Sequence, residues 1–103
     1  MCGRVVQAFE EPDIREVISL SKISVALKSS YNVAPSQEIL GIIQNSQGLE
    51  LSGFIWGLLP SWAVNSKTFK PQINARAEGI NEKPFFRDSF RKRRCLVAVN
   101  GFF

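Results

Sequence analysis

The sequence begins Met1-Cys2-Gly3-Arg4, which places a cysteine directly after the initiator methionine. Removal of Met1 would leave Cys2 with a thiol and a free α-amine on adjacent carbon atoms, a 1,2-aminothiol. Both groups are partly deprotonated near neutral pH and act as nucleophiles. An amine alone forms a reversible Schiff base with an aldehyde, whereas the adjacent thiolate can close on the imine carbon to give a five-membered thiazolidine. This N-terminus therefore predicts stable capture of an aldehyde.

The alternative for Cys2 is structural, because an isolated cysteine is more often a small buried hydrophobe. The second cysteine, Cys95, lies in an apolar run and is predicted to be an inert buried thiol. With two cysteines and no histidine, the sequence has neither a disulfide framework nor a Cys-His dyad. It therefore predicts no metal site and no cofactor.

The positive charge of the chain is concentrated in one segment. Residues 87–94, Arg-Asp-Ser-Phe-Arg-Lys-Arg-Arg, hold five cations and one anion, and the other residues contain eight of each sign. In a helix Arg87 and Arg91 would share one face, and phenylalanines lie in and just before the segment. Such a surface could bind nucleic-acid phosphates and stack on bases. The alternative is a solvated helix end that precedes a strand.

The elements that must position these residues are short. Residues 5–9 suit a strand, and Glu11-Pro12-Asp13 is typical of a helix start because proline and acidic side chains favour the first turn. Turn-forming and β-branched segments then alternate. They predict a loop at 31–37, a strand at 38–44, a turn at 45–48 and a returning strand at 49–59, with Gly53 as a bulge or close-approach site.

The second half of the chain is predicted to be more irregular. Pro60-Ser61-Trp62-Ala63 interrupts the strand, and the polar residues 65–72 are predicted as a surface loop. Residues 73–78 could open a helix, and Lys83-Pro84 marks another helix start. The apolar run 95–99 predicts an interior strand. We expect the missing part of a larger domain, or a second copy of the chain in a homo-oligomer, to cover that strand.

One modest core is expected from 103 residues with 45% hydrophobic content. No apolar run approaches the roughly 18 residues of a membrane span, and the N-terminus lacks a secretory leader. The sequence predicts a single cytoplasmic α+β domain that does not associate with membranes. Its strands are expected to be mainly antiparallel and to form a curled, barrel-like sheet with short peripheral helices.

Four segments of the sequence together match one protein family. They are Met1-Cys2-Gly3-Arg4, Tyr31-Asn32-Val33-Ala34-Pro35, Trp56-Gly57-Leu58-Leu59-Pro60-Ser61-Trp62 and Ile73-Asn74-Ala75-Arg76-Ala77-Glu78, and residues 95–103 extend the match. In order and spacing they resemble the SRAP family, the SOS response-associated peptidases that process abasic sites. The resemblance implies that residues 1–103 are the N-terminal part of a single SRAP domain with an incomplete SRAP fold, and that the protein is bacterial and associates with the nucleoid when bound to DNA.

The resemblance implies a reaction for Cys2. In the family Met1 is removed, apparently by self-processing, and the cysteine then attacks the ring-opened aldehyde of an abasic site in single-stranded DNA. The product is a thiazolidine DNA-protein crosslink. This chemistry agrees with the aldehyde capture that the aminothiol predicts independently.

The resemblance also implies roles for other side chains. Asn74 matches an asparagine beside the nucleophile, whose amide donates to a sugar oxygen or orients the amine. Arg4 and Arg76 match arginines that clamp the flanking phosphates, a task that suits a planar guanidinium. Positions that wedge against or stack on bases are matched by Trp62 and Pro35. Asn32 belongs to the same loop as Pro35 and is predicted to contact DNA.

Structural roles are the alternatives for several of these residues. Arg76 and Glu78 could simply solvate a helix. Trp56 lies in a predicted strand and is expected in the core, whereas Trp62 follows a Pro-Ser break and is expected to be exposed. Ala63 stands where many family members have an aromatic residue, which would weaken the stacking wedge.

Two residues of the family reaction are absent from these 103 residues. The family glutamate that acts as an acid and base directly follows the Asn-Gly-Phe-Phe motif, and the sequence ends at Phe103. A family histidine, much further along, is also absent. Without these groups, proton transfer is expected to be slower by about 10²–10⁴-fold.

Two other functions remain open. A non-catalytic binder of single-stranded nucleic acid could use the arginines, Trp62 and the basic segment 87–94. A peptidase could use Cys2 against peptide bonds, although a thiol one residue from its own terminus, without histidine, suits self-cleavage better than turnover of external peptides.

Overall fold

The computed structural model describes residues 2–103, so Met1, whose removal the aminothiol requires, lies outside the described residues. The chain divides into two compact units. We call residues 2–56 and 95–103 the sheet unit and residues 57–94 the loop unit. The elements are β1 (Val5–Gln7), α1 (Glu11–Val17), β2 (Lys22–Ile23), β3 (Ser30–Val33), β4 (Glu38–Asn45), β5 (Gly48–Ile55), a 3-10 helix (Ser61–Ala63), α2 (Arg87–Lys92) and β6 (Gly101–Phe102).

The first sheet of the sheet unit has β1 at its centre, between β3 and β6. Both pairings are antiparallel, with Val5 opposite Val33 on one side and Phe102 on the other. Val5, Val33 and Ile39 form a buried apolar cluster, so side chains from β1, β3 and β4 share one core. The strand that follows the N-terminal Cys2 is therefore paired on both sides.

The second sheet has the order β2-β5-β4, in which β2 and β5 are parallel and β4 and β5 form an antiparallel hairpin. Gly48 closes the hairpin with a φ of +124°, a conformation that L side chains rarely adopt. The ladder is regular at Gly53, which pairs with Leu40, so Gly53 is not a bulge. A Cβ there would lie 2.8 Å from the Glu38 carboxylate, which confirms the predicted close approach.

The larger core cluster lies under the second sheet and α1. Leu51 on β5 is completely buried, and Ile14 is the buried side chain of α1. The helix begins at Glu11 with Pro12 in its first turn, as predicted, and a capping box joins Glu10 and Asp13. The predicted α+β class and the mainly antiparallel pairing are confirmed.

Buried Gln7 connects the two sheets through its side chain. Its amide nitrogen donates to the carbonyl oxygens of Leu40 (3.0 Å) and Ala98 (2.9 Å), and its amide oxygen accepts from the Leu40 N–H (3.0 Å). A side chain thus supplies the hydrogen bonds that a further strand pairing would have made. The two sheets do not close into a barrel in the described part of the chain, so the curled, barrel-like prediction is not confirmed.

Two strand predictions for the sheet unit are wrong. Residues 30–33 form a strand because Val33 is buried opposite Val5, which outweighs the loop-like composition of this segment. Residues 95–99 do not form a strand: Leu96 makes one isolated bridge with Ile42. Cys95 is exposed, which contradicts the predicted buried thiol, because a single bridge does not draw the run into the core.

The loop unit contains little regular structure. β5 ends at Ile55, so the predicted strand to residue 59 is too long. Beyond it, Leu58 and Gln72 exchange backbone hydrogen bonds of 2.9 and 3.0 Å in an isolated bridge. The segment 73–78 is not helical, and the helix predicted from Lys83-Pro84 begins at Arg87 after a turn. No helix among residues 2–103 is long and apolar enough to cross a membrane.

Candidate functional site

Cys2 is half-buried at the start of the sheet unit. Its thiol donates to the backbone carbonyl oxygen of Arg4 at 3.6 Å, and its side chain packs against the apolar cluster of Val5, Val33 and Ile39. The thiol is therefore held against a rigid sheet while it remains partly accessible. This combination suits a nucleophile better than either full burial or an unattached terminus would.

Arg4 and Asn32 contact each other directly. The Arg4 guanidinium donates to the Asn32 side-chain oxygen at 2.9 Å, and both residues are exposed. The Arg4 carbonyl oxygen also accepts from the Phe103 N–H at 3.2 Å. The Arg4 carbonyl oxygen thus accepts a hydrogen bond from the Cys2 thiol, and the Arg4 guanidinium is a cation held by Asn32.

Pro35 lies in a tight turn between β3 and β4 and is half-buried. The turn is held by the Gln37 side chain, which accepts from the Ala34 N–H at 3.0 Å. Ser36 has a φ of +74° and donates its N–H to the Trp56 carbonyl at 2.9 Å. The predicted core role of Trp56 is consistent with its packing against the same cluster as Cys2.

Trp62 is 55% exposed and belongs to an aromatic cluster of the loop unit. Its ring meets Phe69 edge-on, with centroids 5.0 Å apart and planes at 90°, and Phe85 lies 6.3 Å away. Phe85 in turn contacts Phe86 at 5.0 Å. Edge-to-face contacts of this kind hold the Trp62 ring in place, and more than half of its surface remains accessible, which base stacking requires.

The basic segment begins where the aromatic cluster ends. Arg87 and Arg91 are exposed on α2, one turn apart as predicted. Arg91 donates to the Asn81 carbonyl at 3.4 Å, and the Arg94 guanidinium lies 4.4 Å from the centroid of the Phe90 ring. Among residues 2–103 the only ion pair joins Arg15 to Glu11, so no carboxylate of the described chain forms an ion pair with a cation of this segment.

Asn74 and Arg76 lie in the irregular segment of the loop unit that sequence reasoning had predicted as a helix. Asn74 is half-buried and Arg76 is exposed. The predicted site residues therefore fall into two groups. Cys2, Arg4, Asn32 and Pro35 belong to the sheet unit, and Trp62, Asn74, Arg76, Arg87 and Arg91 belong to the loop unit.

The sequence analysis missed two contributors to these surfaces. Phe69 lies in the polar segment 65–72, whose composition indicated only a surface loop, yet its ring is the nearest aromatic neighbour of Trp62. Gln7 has no sequence signal, because a buried glutamine in a strand looks like the polar half of an ordinary alternation. Residues 2–103 contain no group of three or more His, Cys, Asp or Glu side chains that could hold a metal ion.

These features describe an α+β protein with a half-buried thiol near its N-terminus and exposed cationic and aromatic side chains. The chain matches the family model of the SOS response associated peptidases (SRAP) over residues 1–103. It therefore belongs to the SRAP family.

Individual relatives are similar over the same region. The chain is 40% identical over 105 residues to the abasic site processing protein YoqW of Bacillus subtilis, covering 100% of this chain and 47% of YoqW. It is 28% identical over 111 residues to the abasic site processing protein YedK of Escherichia coli, covering 100% of this chain and 47% of YedK. A yeast relative, the abasic site processing protein YMR114C, is 28% identical over 96 residues, which are 91% of this chain and 25% of that protein. The chain thus spans about half the length of its bacterial relatives.

Proposed function

We propose that this chain processes abasic sites by capturing their aldehyde in single-stranded DNA through Cys2. After hydrolysis of the Met1–Cys2 peptide bond, the free α-amine condenses with the ring-opened sugar aldehyde and releases one water. The thiol then adds across the C=N bond of the imine: its sulfur bonds to the carbon, and its proton ends on the ring nitrogen. The product is a thiazolidine that joins the protein covalently to DNA.

The half-buried thiol beside Arg4 is the observation that carries this proposal. The thiol lies 3.6 Å from the Arg4 carbonyl oxygen, and the guanidinium of the same residue is exposed. We propose that a phosphate bound by that guanidinium brings the adjoining sugar toward the thiol. The names of the similar proteins, which describe abasic site processing, support the same substrate.

The other contacts of the proposal follow from the family resemblance. We propose that Asn74 orients the reacting groups as an amide that need not titrate, and that Arg76 binds a flanking phosphate. Pro35 would press against a base beside the lesion. Arg87 and Arg91, whose role follows from the charge of residues 87–94 and not from the resemblance, would bind the phosphate backbone further along the strand. We further propose that the protein acts in the cytoplasm. A barrel-like complete domain and a homo-oligomer that covers residues 95–103 remain predictions.

The reaction should be slow in these 103 residues. The family resemblance assigns proton transfer to a glutamate and a histidine, and these 103 residues contain no histidine. Loss of general acid and base catalysis typically lowers rates by about 10²–10⁴-fold. We therefore expect the adduct to accumulate over hours, without a rapid initial phase.

The proposal is tested by incubating the chain, with Met1 removal verified by intact mass, with single-stranded DNA that carries one abasic site. We expect a denaturing gel to show a slowly accumulating adduct whose mass is the sum of the two partners minus one water. Cys2→Ala should give no adduct, and DNA whose abasic aldehyde has been reduced to an alcohol should give none with either protein. An adduct of equal yield with Cys2→Ala would contradict the assignment, as would no adduct at all.

A second candidate function is non-catalytic binding of single-stranded DNA by the loop unit. The exposed Trp62 ring, the phenylalanines that contact it and the cations of α2, which form no ion pair among the described residues, support this function. It requires neither the thiol nor the lesion. Binding that survives Cys2→Ala and does not distinguish damaged from undamaged DNA would favour it over aldehyde capture.

Replacing Trp62 with alanine should weaken binding of undamaged single-stranded DNA by about 5- to 150-fold, because stacking on one aromatic ring contributes roughly 1–3 kcal/mol per base. Fluorescence anisotropy with a labelled oligonucleotide measures the change. Val64→Ala is the matched control, since Val64 is similarly exposed and lies outside the ring cluster. Equal affinities of Trp62→Ala and Val64→Ala would exclude Trp62 as a stacking residue.

A further inference from the structure

We infer that Asn32 is a positioning residue, which fixes the guanidinium of Arg4 and does not itself bind DNA. The inference rests on the proposed function, in which Arg4 binds a phosphate beside the lesion. It revises the sequence-based prediction that Asn32 contacts DNA. The observation that carries it is the hydrogen bond of 2.9 Å from Arg4 Nη1 to Asn32 Oδ1.

The chemistry of this contact fixes which atom of the amide is used. A guanidinium has five N–H donors and no acceptor, so the atom that faces it must be the amide oxygen. That oxygen is then engaged by Arg4. Its engagement leaves the four remaining guanidinium N–H groups for other acceptors, such as phosphate oxygens.

The two residues that form the contact are held by the same sheet. Asn32 lies on β3, which pairs with β1, and the pairing places Val33 opposite Val5. The backbone of Arg4 is tied on its other side, where its carbonyl accepts from the Phe103 N–H. Asn32 is therefore a fixed acceptor, and an exposed arginine side chain that would otherwise sample many rotamers is restrained toward one.

The residue type at position 32 fits a positioning role. An aspartate would accept the same hydrogen bond, but its negative charge would offset the charge of Arg4 and repel phosphate. An asparagine restrains the guanidinium and leaves its charge available. The neutral amide therefore separates two properties, orientation and charge, that can be tested independently.

A double-mutant cycle tests the inference, with binding of an undamaged oligo-dT by fluorescence anisotropy as the readout so that no covalent step contributes. The proteins are the full chain and its Asn32→Ala, Arg4→Met and doubly substituted variants. We expect Asn32→Ala to weaken binding by about two- to tenfold and Arg4→Met by about 10- to 100-fold. In the Arg4→Met background, Asn32→Ala should have no further effect. An equal cost of Asn32→Ala in both backgrounds would overturn the inference.

The salt dependence of binding gives a readout that a purely structural role would not change. Arg4→Met should lower the slope of log K against log salt by about 0.7, the value for one phosphate contact on a single strand. Asn32→Asp should lower it similarly, because the carboxylate cancels the charge of Arg4, whereas Asn32→Ala should leave the slope unchanged. A lowered slope in Asn32→Ala would contradict the positioning role.

A measurement without DNA separates this inference from the proposed function. Restrained rotation of the Arg4 guanidinium should be visible by nitrogen NMR in the free protein and should be lost in Asn32→Ala. If the wild-type chain shows the restrained signal but does not bind oligo-dT, the proposed function fails and the Asn32–Arg4 contact stands. The inference is wrong if the Arg4 guanidinium rotates freely in both the wild-type chain and Asn32→Ala. It is also wrong if Arg4→Met does not affect binding of oligo-dT.

Discussion

Replacing Cys2 with serine should abolish the stable adduct with abasic DNA and leave only a Schiff base that borohydride can trap. The α-amine is unchanged in Cys2→Ser, so imine formation continues. A serine hydroxyl stays protonated near neutral pH and is a far weaker nucleophile than a thiolate, so the ring does not close stably. Denaturing gels run with and without borohydride should therefore show an adduct only in the reduced Cys2→Ser sample.

A chain that retains Met1 is the matched control for the amine. It keeps the thiol, but its Cys2 nitrogen is part of a peptide bond and cannot form an imine. Its Met1 amine can form only a Schiff base, which borohydride traps, and its thiol gives only a reversible hemithioacetal, so an adduct should appear in the reduced sample and be absent from the unreduced one. A stable, unreduced adduct from the Met1-retaining chain would show that the aminothiol is not the reacting group. A stable, unreduced adduct from Cys2→Ser would point to another nucleophile.

The parts of the fold that local sequence signals predict are those whose hydrogen bonds are local. The β4–β5 hairpin follows from β-branched residues on both sides of a turn that ends in Gly48, whose positive φ favours glycine. The start of α1 follows from Pro12 and the acidic residues of its first turn. In both elements the partners lie close together in the sequence, so composition and spacing contain the necessary information.

The elements that sequence reasoning got wrong depend on distant partners. β3 forms because Val33 packs opposite Val5, a contact across 28 residues that no local pattern of 31–37 indicates. Residues 95–99 look like an interior strand, yet Leu96, Val97 and Val99 are 61%, 44% and 39% exposed, and the run makes one isolated bridge, between Leu96 and Ile42. Tertiary pairing decides both cases. It makes β3 a strand despite a loop-like composition, and it leaves residues 95–99 outside a strand despite their hydrophobicity.

The candidate site divides in the same way. The chemistry of Cys2 can be read from its position in the chain, and the exposure of Trp62 follows from the break that precedes it. The partners of these residues could not be predicted. The Arg4–Asn32 hydrogen bond joins residues 28 apart, and the Trp62–Phe69 contact depends on a loop whose path has no sequence signature. Sequence therefore suggests candidate site residues, and the structure shows which side chains contact them.

Replacing Gln7 with leucine should destabilise the chain by about 3–9 kcal/mol, because the side chain makes three hydrogen bonds to backbone groups of Leu40 and Ala98. Leucine has a similar volume but leaves one N–H and two carbonyl oxygens without these partners. Each buried polar group that loses its partner costs about 1–3 kcal/mol. This is a large share of the roughly 5–15 kcal/mol by which domains are stable.

Urea unfolding followed by circular dichroism measures the effect, and Gln44→Leu is the matched control. Gln44 is also a strand glutamine, on β4, but it is exposed, so its replacement should change stability by no more than about 0.5 kcal/mol. The prediction also bears on the candidate site, because Gln7 ties β1, the strand that follows Cys2 and Arg4, to β4 and to the segment at Ala98. If Gln7→Leu unfolds at the same urea concentration as Gln44→Leu, the two sheets are held together by apolar packing alone and Gln7 is not the link between them.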